Sequence, residues 1–403
     1  MEFRNVLFTE LKLRNMTLPN RIIRSATYEG WGEADGTPKP ELADVYSELA
    51  RGGVGTIITG FAFVSKVGRA MHPGQCGIDS DDKIGPWRRI IAKVREANPD
   101  VKLVMQIAHT GRQTRRQVTG QPVVGASDRP CTYFRQHPRV LDDNSILDII
   151  NDFAYAAYRA IRAGFDAVQI HAAHGYLIHQ FLSSWTNART DRWADRPLLL
   201  EKVISAVRSK CGYDFPILVK LSAAEDRSPG IRVEDTIETA KRLEKLEIDA
   251  VEISYGTMEY ALNIIRGAVP IDAVLRVNPM FNRIPGLLKS FWKKFCAPAY
   301  LRKFIPFEED YNLQSASRIW SETELPVICV GGIRTLESMV GIIDSFGIDA
   351  IALCRPLICE PDIPRKILSG EFTKSKCTNC NLCTIYCDSQ QPLRCYQKKG
   401  NAQ

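Results

Sequence analysis

The sequence lacks several features that would assign it to a class at once. Its 403 residues include no uninterrupted apolar run of the roughly 20 residues that a membrane helix needs. The first residues, MEFRNVLFTELKLRN, are charged where a secretory signal has its apolar run. Repeats and low-complexity segments are missing too, and no GxGxxG motif follows the first predicted strand, so the usual fingerprint of an open dinucleotide-binding sheet is absent. We therefore expect a cytoplasmic protein with no membrane partner.

The charge excess is small and local. The formal net charge of +7 on a chain of this length does not indicate nucleic-acid binding. The segment 262–306 carries the whole excess, because its only acidic residue is Asp272 and its cations are Arg266, Arg276, Arg283, Lys289, Lys293, Lys294, Arg302 and Lys303. Such a stretch would attract an anionic substrate, or it is simply a solvated face or a subunit contact.

Near-continuous apolar runs alternate with amphipathic segments, which is typical of a parallel sheet covered by helices. Helices are predicted over 151–164, 233–247 and 336–347. Eight such strands favour a closed (β/α)8 TIM barrel over 1–373, interrupted by a Pro-rich capping excursion at 262–312 and followed by a Cys-rich tail at 374–403. The predicted strands are 24–28, 53–63, 101–109, 165–173, 215–223, 248–256, 325–333 and 348–356.

The most informative segment follows the predicted strand 165–173. That strand contains His171, and His174 and Tyr176 lie in the turn beyond it, at the barrel face that holds active sites. Imidazoles can donate hydrogen bonds to a carbonyl oxygen that gains negative charge, and a phenol can supply a proton. Two histidines and a tyrosine at this spacing indicate a catalytic rim.

This segment resembles the old yellow enzyme family of flavin-dependent ene-reductases. The family pattern H-x-A-H-G-Y-L-x-x-x-F-L-S followed by N-x-R-x-D matches 171–191, and the similarity extends over about 5–370. The resemblance implies that His171 and His174 bind the electron-withdrawing group of the substrate, with Tyr176 as proton donor. Tyr28, on the substrate side, stands where many members have Thr or Cys.

The resemblance also implies an FMN site, with NAD(P)H as co-substrate in the same pocket. It assigns to the flavin the first-strand residues, a glutamine, a cation near the ring and two phosphate loops. Cys354 replaces the usual Gly before the phosphate arginine. These residues are Ser25, Ala26, Thr27, Gln106, Lys220, Gly331, Gly332, Cys354 and Arg355.

The tail contains five of the twelve cysteines, in the run CTNCNLCTIYCDSQQPLRC. Closely spaced thiolates followed by a distant one can hold a 4Fe–4S cluster or a tetrahedral zinc. Taken as Cys377, Cys380, Cys383 and Cys395, the spacing resembles the cluster ligands after the barrel in dienoyl-CoA reductase and trimethylamine dehydrogenase relatives. Cys387 is then not a ligand. A set that includes Cys387 in place of Cys377 stays open, as do free thiols or disulfides.

These observations predict an FMN-dependent oxidoreductase that reduces an activated C=C bond, in an unsaturated carbonyl compound or enoyl thioester, with electrons from NAD(P)H. We expect a small-molecule substrate, in one interpretation anionic, and a homo-oligomer that binds no nucleic acid. The alternatives are a flavin and iron–sulfur amine dehydrogenase, or an electron-transfer protein that depends on an external electron donor.

Overall fold

The computed structural model describes residues 6–278 and 281–397. Its centre is a closed barrel of eight parallel strands, in which the pairing of Ile351 with Ile22 joins the last strand to the first. The strands are β1 (Ile22–Arg24), β2 (Thr56–Ile58), β3 (Lys102–Ala108), β4 (Ala167–Ala172), β5 (Ile217–Ser222), β6 (Ala250–Ser254), β7 (Val327–Val330) and β8 (Ala350–Leu353). The predicted (β/α)8 barrel is thus confirmed.

A helix after each strand covers the outside of the barrel. The helices begin at recognisable signals; α3, for example, starts where the Asp142 side chain accepts a hydrogen bond from the Ser145 N–H at 2.8 Å, and it ends at Gly164, whose φ is +103°. The eight helices are α1 (Leu42–Arg51), α2 (Ile84–Ala97), α3 (Asp143–Ala163), α4 (Leu198–Cys211), α5 (Val233–Glu244), α6 (Leu313–Glu322), α7 (Leu336–Asp344) and α8 (Ile363–Ser369).

Most remaining elements lie in the connections at the carboxyl ends of the strands. The short strands are Leu11–Lys12, Thr17–Leu18, Ala62–Phe63, Val124–Gly125 and Arg139–Val140. The α-helices are Arg116–Thr119, Leu177–Leu182, Ala261–Ile264, Ile271–Val277, Gly286–Phe291, Ala297–Leu301, Arg355–Cys359 and Leu382–Asp388, with a π-helix at Trp292–Cys296. The 3-10 turns are Lys66–Gly68, Asp81–Lys83, Arg192–Ala194 and Met258–Tyr260.

The structure corrects the bounds of the first predicted strand and adds detail to the predicted excursion. The first barrel strand ends at Arg24 rather than starting there, so Ser25, Ala26 and Thr27 form the turn at its carboxyl end. The excursion contains helices that cover the barrel mouth. No helix within the described ranges has the length and apolarity to cross a membrane.

Candidate active site

One large cavity, of about 560 Å³, occupies the carboxyl ends of the strands. A volume of this size suits a cofactor or drug-sized ligand. The predicted catalytic, substrate-binding and flavin-binding residues share this cavity, except Ser25, which touches one of its lining side chains, that of Lys220. Those that line it are Ala26, Thr27, Tyr28, Gln106, His171, His174, Tyr176, Lys220, Gly331, Gly332, Cys354 and Arg355.

The histidines and the tyrosine after β4 form a compact group. The His171 Nε2 and His174 Nδ1 atoms are 3.2 Å apart, and the His174 Nε2 atom lies 2.8 Å from the Ser254 hydroxyl at the end of β6. The His171 and Tyr176 rings have centroids 4.6 Å apart. His174 adopts a φ of +60°, a left-handed conformation that is uncommon outside glycine. Its backbone is held there by a hydrogen bond from its N–H to the Ser222 hydroxyl at 3.0 Å.

Burial determines the protonation states of this group. It lowers the pKa of His171 to about 3 and that of His174 well below its usual value, with the charge of Lys220 adding to both shifts. Burial also raises the pKa of the Tyr176 phenol. Both imidazoles are therefore neutral near pH 7, each with one N–H, and the phenol keeps its proton.

The two histidines cannot both donate a hydrogen bond to the same ligand atom without losing a partner within the protein. They hydrogen-bond to each other, and the buried Nδ1 atom of His171 has no hydrogen-bond partner among the described residues. If His174 carries its proton on Nδ1 and donates to His171 Nε2, then His171 carries its proton on Nδ1. In that pair of tautomers the remaining His171 N–H is buried, so a ligand oxygen would be bound through an imidazole nitrogen that now contacts His174 or Ser254.

A chain of buried polar side chains crosses the barrel interior below the cavity. The Gln106 side-chain N–H donates to the Gln169 oxygen at 2.7 Å, and Gln169 in turn donates to Glu252 at 2.7 Å. The Lys220 ammonium lies 2.8 Å from both the Glu252 carboxylate and the Ser25 hydroxyl. A lysine predicted to stand beside a flavin is thus fixed by a carboxylate on the neighbouring strand.

The opposite side of the barrel, at β7 and β8, fits an anionic group. Gly331 and Gly332 follow β7 with φ values of +130° and +81°, which favour glycine. Arg334 is 3 % exposed, and its Nε and Nη1 atoms have no hydrogen-bond partner in the described structure. Buried, unpaired guanidinium nitrogens beside a glycine turn suit a phosphate, so the residues present fit FMN.

The Cys-rich tail contacts Arg334 and also Arg355, the predicted phosphate arginine. Asn381 accepts a hydrogen bond from Arg355 at 2.6 Å, and Asn379 accepts one from Arg334. Both asparagines have a φ of +57°. The loop between the cysteines thereby holds the arginine side chains at the predicted phosphate end of the cavity.

Four tail cysteines line a second, small cavity together with Cys359 and Arg355; they are Cys377, Cys380, Cys383 and Cys395. Among the described residues, no three His, Cys, Asp or Glu side chains are close enough to hold a single metal ion. A tetrahedral zinc needs sulfurs roughly 3.8 Å apart, given a Zn–S distance of about 2.3 Å. Within the described residues, the four thiols therefore form no preformed site for a single zinc ion.

Cys387 lies elsewhere. Its sulfur is 3.6 Å from the Tyr28 carbonyl oxygen, and it lines the large cavity. Its neighbour Asp388 also lines that cavity, with an Oδ1 atom 3.7 Å from His72 Nδ1. The tail thus supplies part of the active-site wall, and the arrangement favours the ligand set without Cys387.

Three residues of this site escape the sequence analysis: Gln169, Glu252 and Arg334. Each of the first two has an apolar neighbour on both sides within its strand, AVQIHA or AVEIS. That isolation is the available signal, because a lone buried carboxylate needs a partner. Arg334 follows the Gly331-Gly332 pair after one intervening residue, but its sequence gives no sign that it is buried.

Comparison with known proteins gives a coherent result. The model of the NADH:flavin oxidoreductase / NADH oxidase family matches residues 6–272. An NADH oxidase of Thermoanaerobacter brockii is 31 % identical over 382 residues, which are 93 % of this chain and 53 % of that protein. The chain spans about half the length of the first curated relatives it matches.

Solved structures show the same fold. A 2-naphthoyl-CoA reductase complex superposes with a TM-score of 0.79 at 22 % identity, covering 97 % of this chain and 56 % of the other. An old yellow enzyme homologue from Zymomonas mobilis superposes with a TM-score of 0.67 at 26 % identity, covering 91 % and 94 % of the two chains.

Proposed function

Because the chain belongs to the NADH:flavin oxidoreductase / NADH oxidase family, we propose that it reduces an activated C=C bond, in an unsaturated carbonyl compound or enoyl thioester, with electrons from NAD(P)H. The observation that carries the proposal is the group of His171, His174 and Tyr176 on the wall of the large cavity. It combines a neutral N–H donor for a carbonyl oxygen with a protonated phenol.

FMN, when bound, supplies the hydride chemistry. The residues that would hold it are Gln106 and Lys220 at the ring and Gly331, Gly332, Arg334 and Arg355 at the phosphate. The protein's own side chains contribute in two ways. His171 donates a hydrogen bond to the substrate oxygen, which stabilises negative charge developing there. Tyr176 keeps a proton available at neutral pH, since its pKa is raised.

The cavity wall favours an apolar substrate. The excursion contributes aliphatic and aromatic side chains, including Val274, Leu275, Trp292, Leu301 and Phe304. Such a wall buries a hydrocarbon or aromatic acyl group and excludes water from the reacting atoms. The fold relative that binds 2-naphthoyl-CoA takes a substrate of this general kind.

We propose further that Cys377, Cys380, Cys383 and Cys395 hold a 4Fe–4S cluster. The support is the shared cavity of the four thiols and the spacing of these cysteines in the sequence. A cluster there lies beside Arg355, which also lines the large cavity, so an external electron donor could serve the flavin by this route.

The test starts with anaerobic purification, a visible spectrum, identification of the released flavin, and iron and sulfide analysis. We expect FMN and about four irons per chain. NADH or NADPH should then support reduction of 2-cyclohexenone or an enoyl thioester, and His171→Ala with His174→Ala should raise KM while FMN stays bound. Flavin that is reduced by NAD(P)H but passes electrons to no alkene would refute alkene reduction.

A further inference from the structure

The outer surface of the excursion exposes an unusual number of apolar side chains. We call the helical stretch 286–301 the excursion helix; it runs from Gly286–Phe291 through Trp292–Cys296 to Ala297–Leu301. Leu287 is 89 % exposed, and Leu288, Phe291 and Phe295 are 57 %, 57 % and 60 % exposed. Exposed apolar residues that cluster in this way mark an interaction surface.

The excursion helix cannot bury these side chains within its own fold. Its other side already faces inward, since Trp292, Tyr300 and Leu301 line the large cavity and Ala297 is 1 % exposed. Phe291 and Phe295 instead contact each other, with ring centroids 4.8 Å apart. The outer apolar face therefore needs a partner outside the described chain.

Four exposed cations lie within the excursion helix or directly after it. Lys293, Lys294, Arg302 and Lys303 are exposed, and only Lys293 has a carboxylate of the described residues within ion-pair distance, Asp272 at 2.7 Å. The Lys294 ammonium stands 5.4 Å from the Phe295 ring centroid. Leucine and aromatic side chains that protrude among uncompensated lysines and arginines form the combination that binds a bilayer interface.

We propose that the excursion helix docks the protein on an anionic phospholipid surface. Its apolar side chains would enter the acyl boundary while its cations meet the lipid phosphates. A second copy of this chain fits less well, because a self-complementary contact would bring the same cations together. A nucleic acid would leave the four exposed apolar side chains in water.

Docking on lipid differs from the sequence-based expectation of no membrane partner. That expectation considered membrane-spanning segments, whereas a helix that lies on the bilayer needs none. The excursion helix also forms part of the cavity wall, through Trp292, Tyr300 and Leu301. Docking would therefore bring the roof of the cavity against lipid, where an apolar substrate concentrates.

The test is co-sedimentation of the purified full chain with vesicles. The probes are phosphatidylcholine vesicles with and without phosphatidylglycerol, at low and high salt. We expect binding to the anionic vesicles that weakens in high salt, because the screening length is about 10 Å at 0.1 M and shorter above it. Equal binding to neutral vesicles, or no binding to anionic ones, would overturn the proposal.

Two variants separate the contributions. In the charge variant, Lys294→Gln, Arg302→Gln and Lys303→Gln should lower the partition coefficient about fivefold per cation, or about 100-fold together. In the apolar variant, Leu287→Asp, Phe291→Asp and Phe295→Asp should abolish binding. Circular dichroism and melting temperature check that each variant folds.

Matched controls lie on other surfaces of the barrel. Tyr213 and Leu368 are 77 % and 65 % exposed, and Tyr213→Asp with Leu368→Asp should leave vesicle binding unchanged. Sedimentation velocity without lipid tests the competing occupant. If the parent does not bind vesicles and the apolar variant converts an oligomer to a monomer, the face is a contact between copies and the lipid proposal is wrong.

Discussion

The Lys220 and Glu252 pair offers the sharpest test of how this barrel is held together. The Lys220 ammonium lies 2.8 Å from the Glu252 carboxylate, and their side chains are 4 % and 0 % exposed. Glu252→Gln keeps the shape and the oxygen that accepts from Gln169, but it leaves a buried ammonium without its counter-charge. Breaking a buried pair in this way costs about 3–5 kcal/mol. We expect a loss of that size in the free energy of unfolding.

Urea unfolding at neutral pH and fixed FMN concentration measures the loss, since a ligand that binds only the folded state adds to apparent stability. The second variant is Lys220→Met with Glu252→Gln, which removes both charges and should lie within about 2 kcal/mol of the parent. The exposed pair of Lys241 and Glu322 is the control, because Glu322→Gln should cost at most about 1 kcal/mol. A double variant that costs the sum of its single changes would refute the reasoning.

Three further predictions concern the rim and the tail. Tyr176→Phe should slow alkene reduction by about 10² or more in stopped flow and leave flavin reduction by NAD(P)H unchanged; an unchanged oxidative half-reaction would remove Tyr176 as proton donor. Because the pKa of His171 is about 3 in the folded chain and 6.5 in its ordinary state, the unfolded chain binds an extra proton between these values, so stability declines as pH falls through about 6.5. His171→Asn should make this part of the melting-temperature profile less steep without abolishing the slope, because the pKa values of His174 and His109 are lowered too; an unaltered slope would contradict the assignment. Cys383→Ser should lose iron and acid-labile sulfide while Cys387→Ser retains both; equal losses would reject the ligand set.

The barrel and the position of the candidate catalytic residues on its rim could be predicted because both are local properties of the sequence. Each strand is a short apolar run, and the residues that follow it must emerge at the same face of a parallel barrel. His171, His174 and Tyr176 lie within six residues, so their proximity needs no long-range information. The prediction of the first strand is wrong in its bounds. β1 ends at Arg24, so most of the predicted strand 24–28 is the turn after it.

The polar interior could not be predicted, because it depends on pairings between distant strands. Glu252 reaches Lys220 and Gln169 only because β6, β5 and β4 are neighbours in that order. A sequence shows that a carboxylate in an apolar strand needs a partner, but not which strand supplies it. Nor does it show that His171 and His174 hydrogen-bond to each other, which depends on the left-handed backbone at His174.

Which tail cysteines act together could not be predicted from their spacing either. Spacing alone leaves Cys377 and Cys387 as equivalent candidates, because both are separated from their neighbours by short loops. The difference arises from the helix Leu382–Asp388, whose two buried cysteines, Cys383 and Cys387, reach different cavities. Loss of a cluster at Cys383 would release the loop that carries Asn381, and with it the hydrogen bond that fixes Arg355. If the proposed cluster is bound, we expect its loss to lower flavin affinity, because Asn381 and Asn379 accept the hydrogen bonds that hold Arg355 and Arg334 at the predicted phosphate end of the cavity.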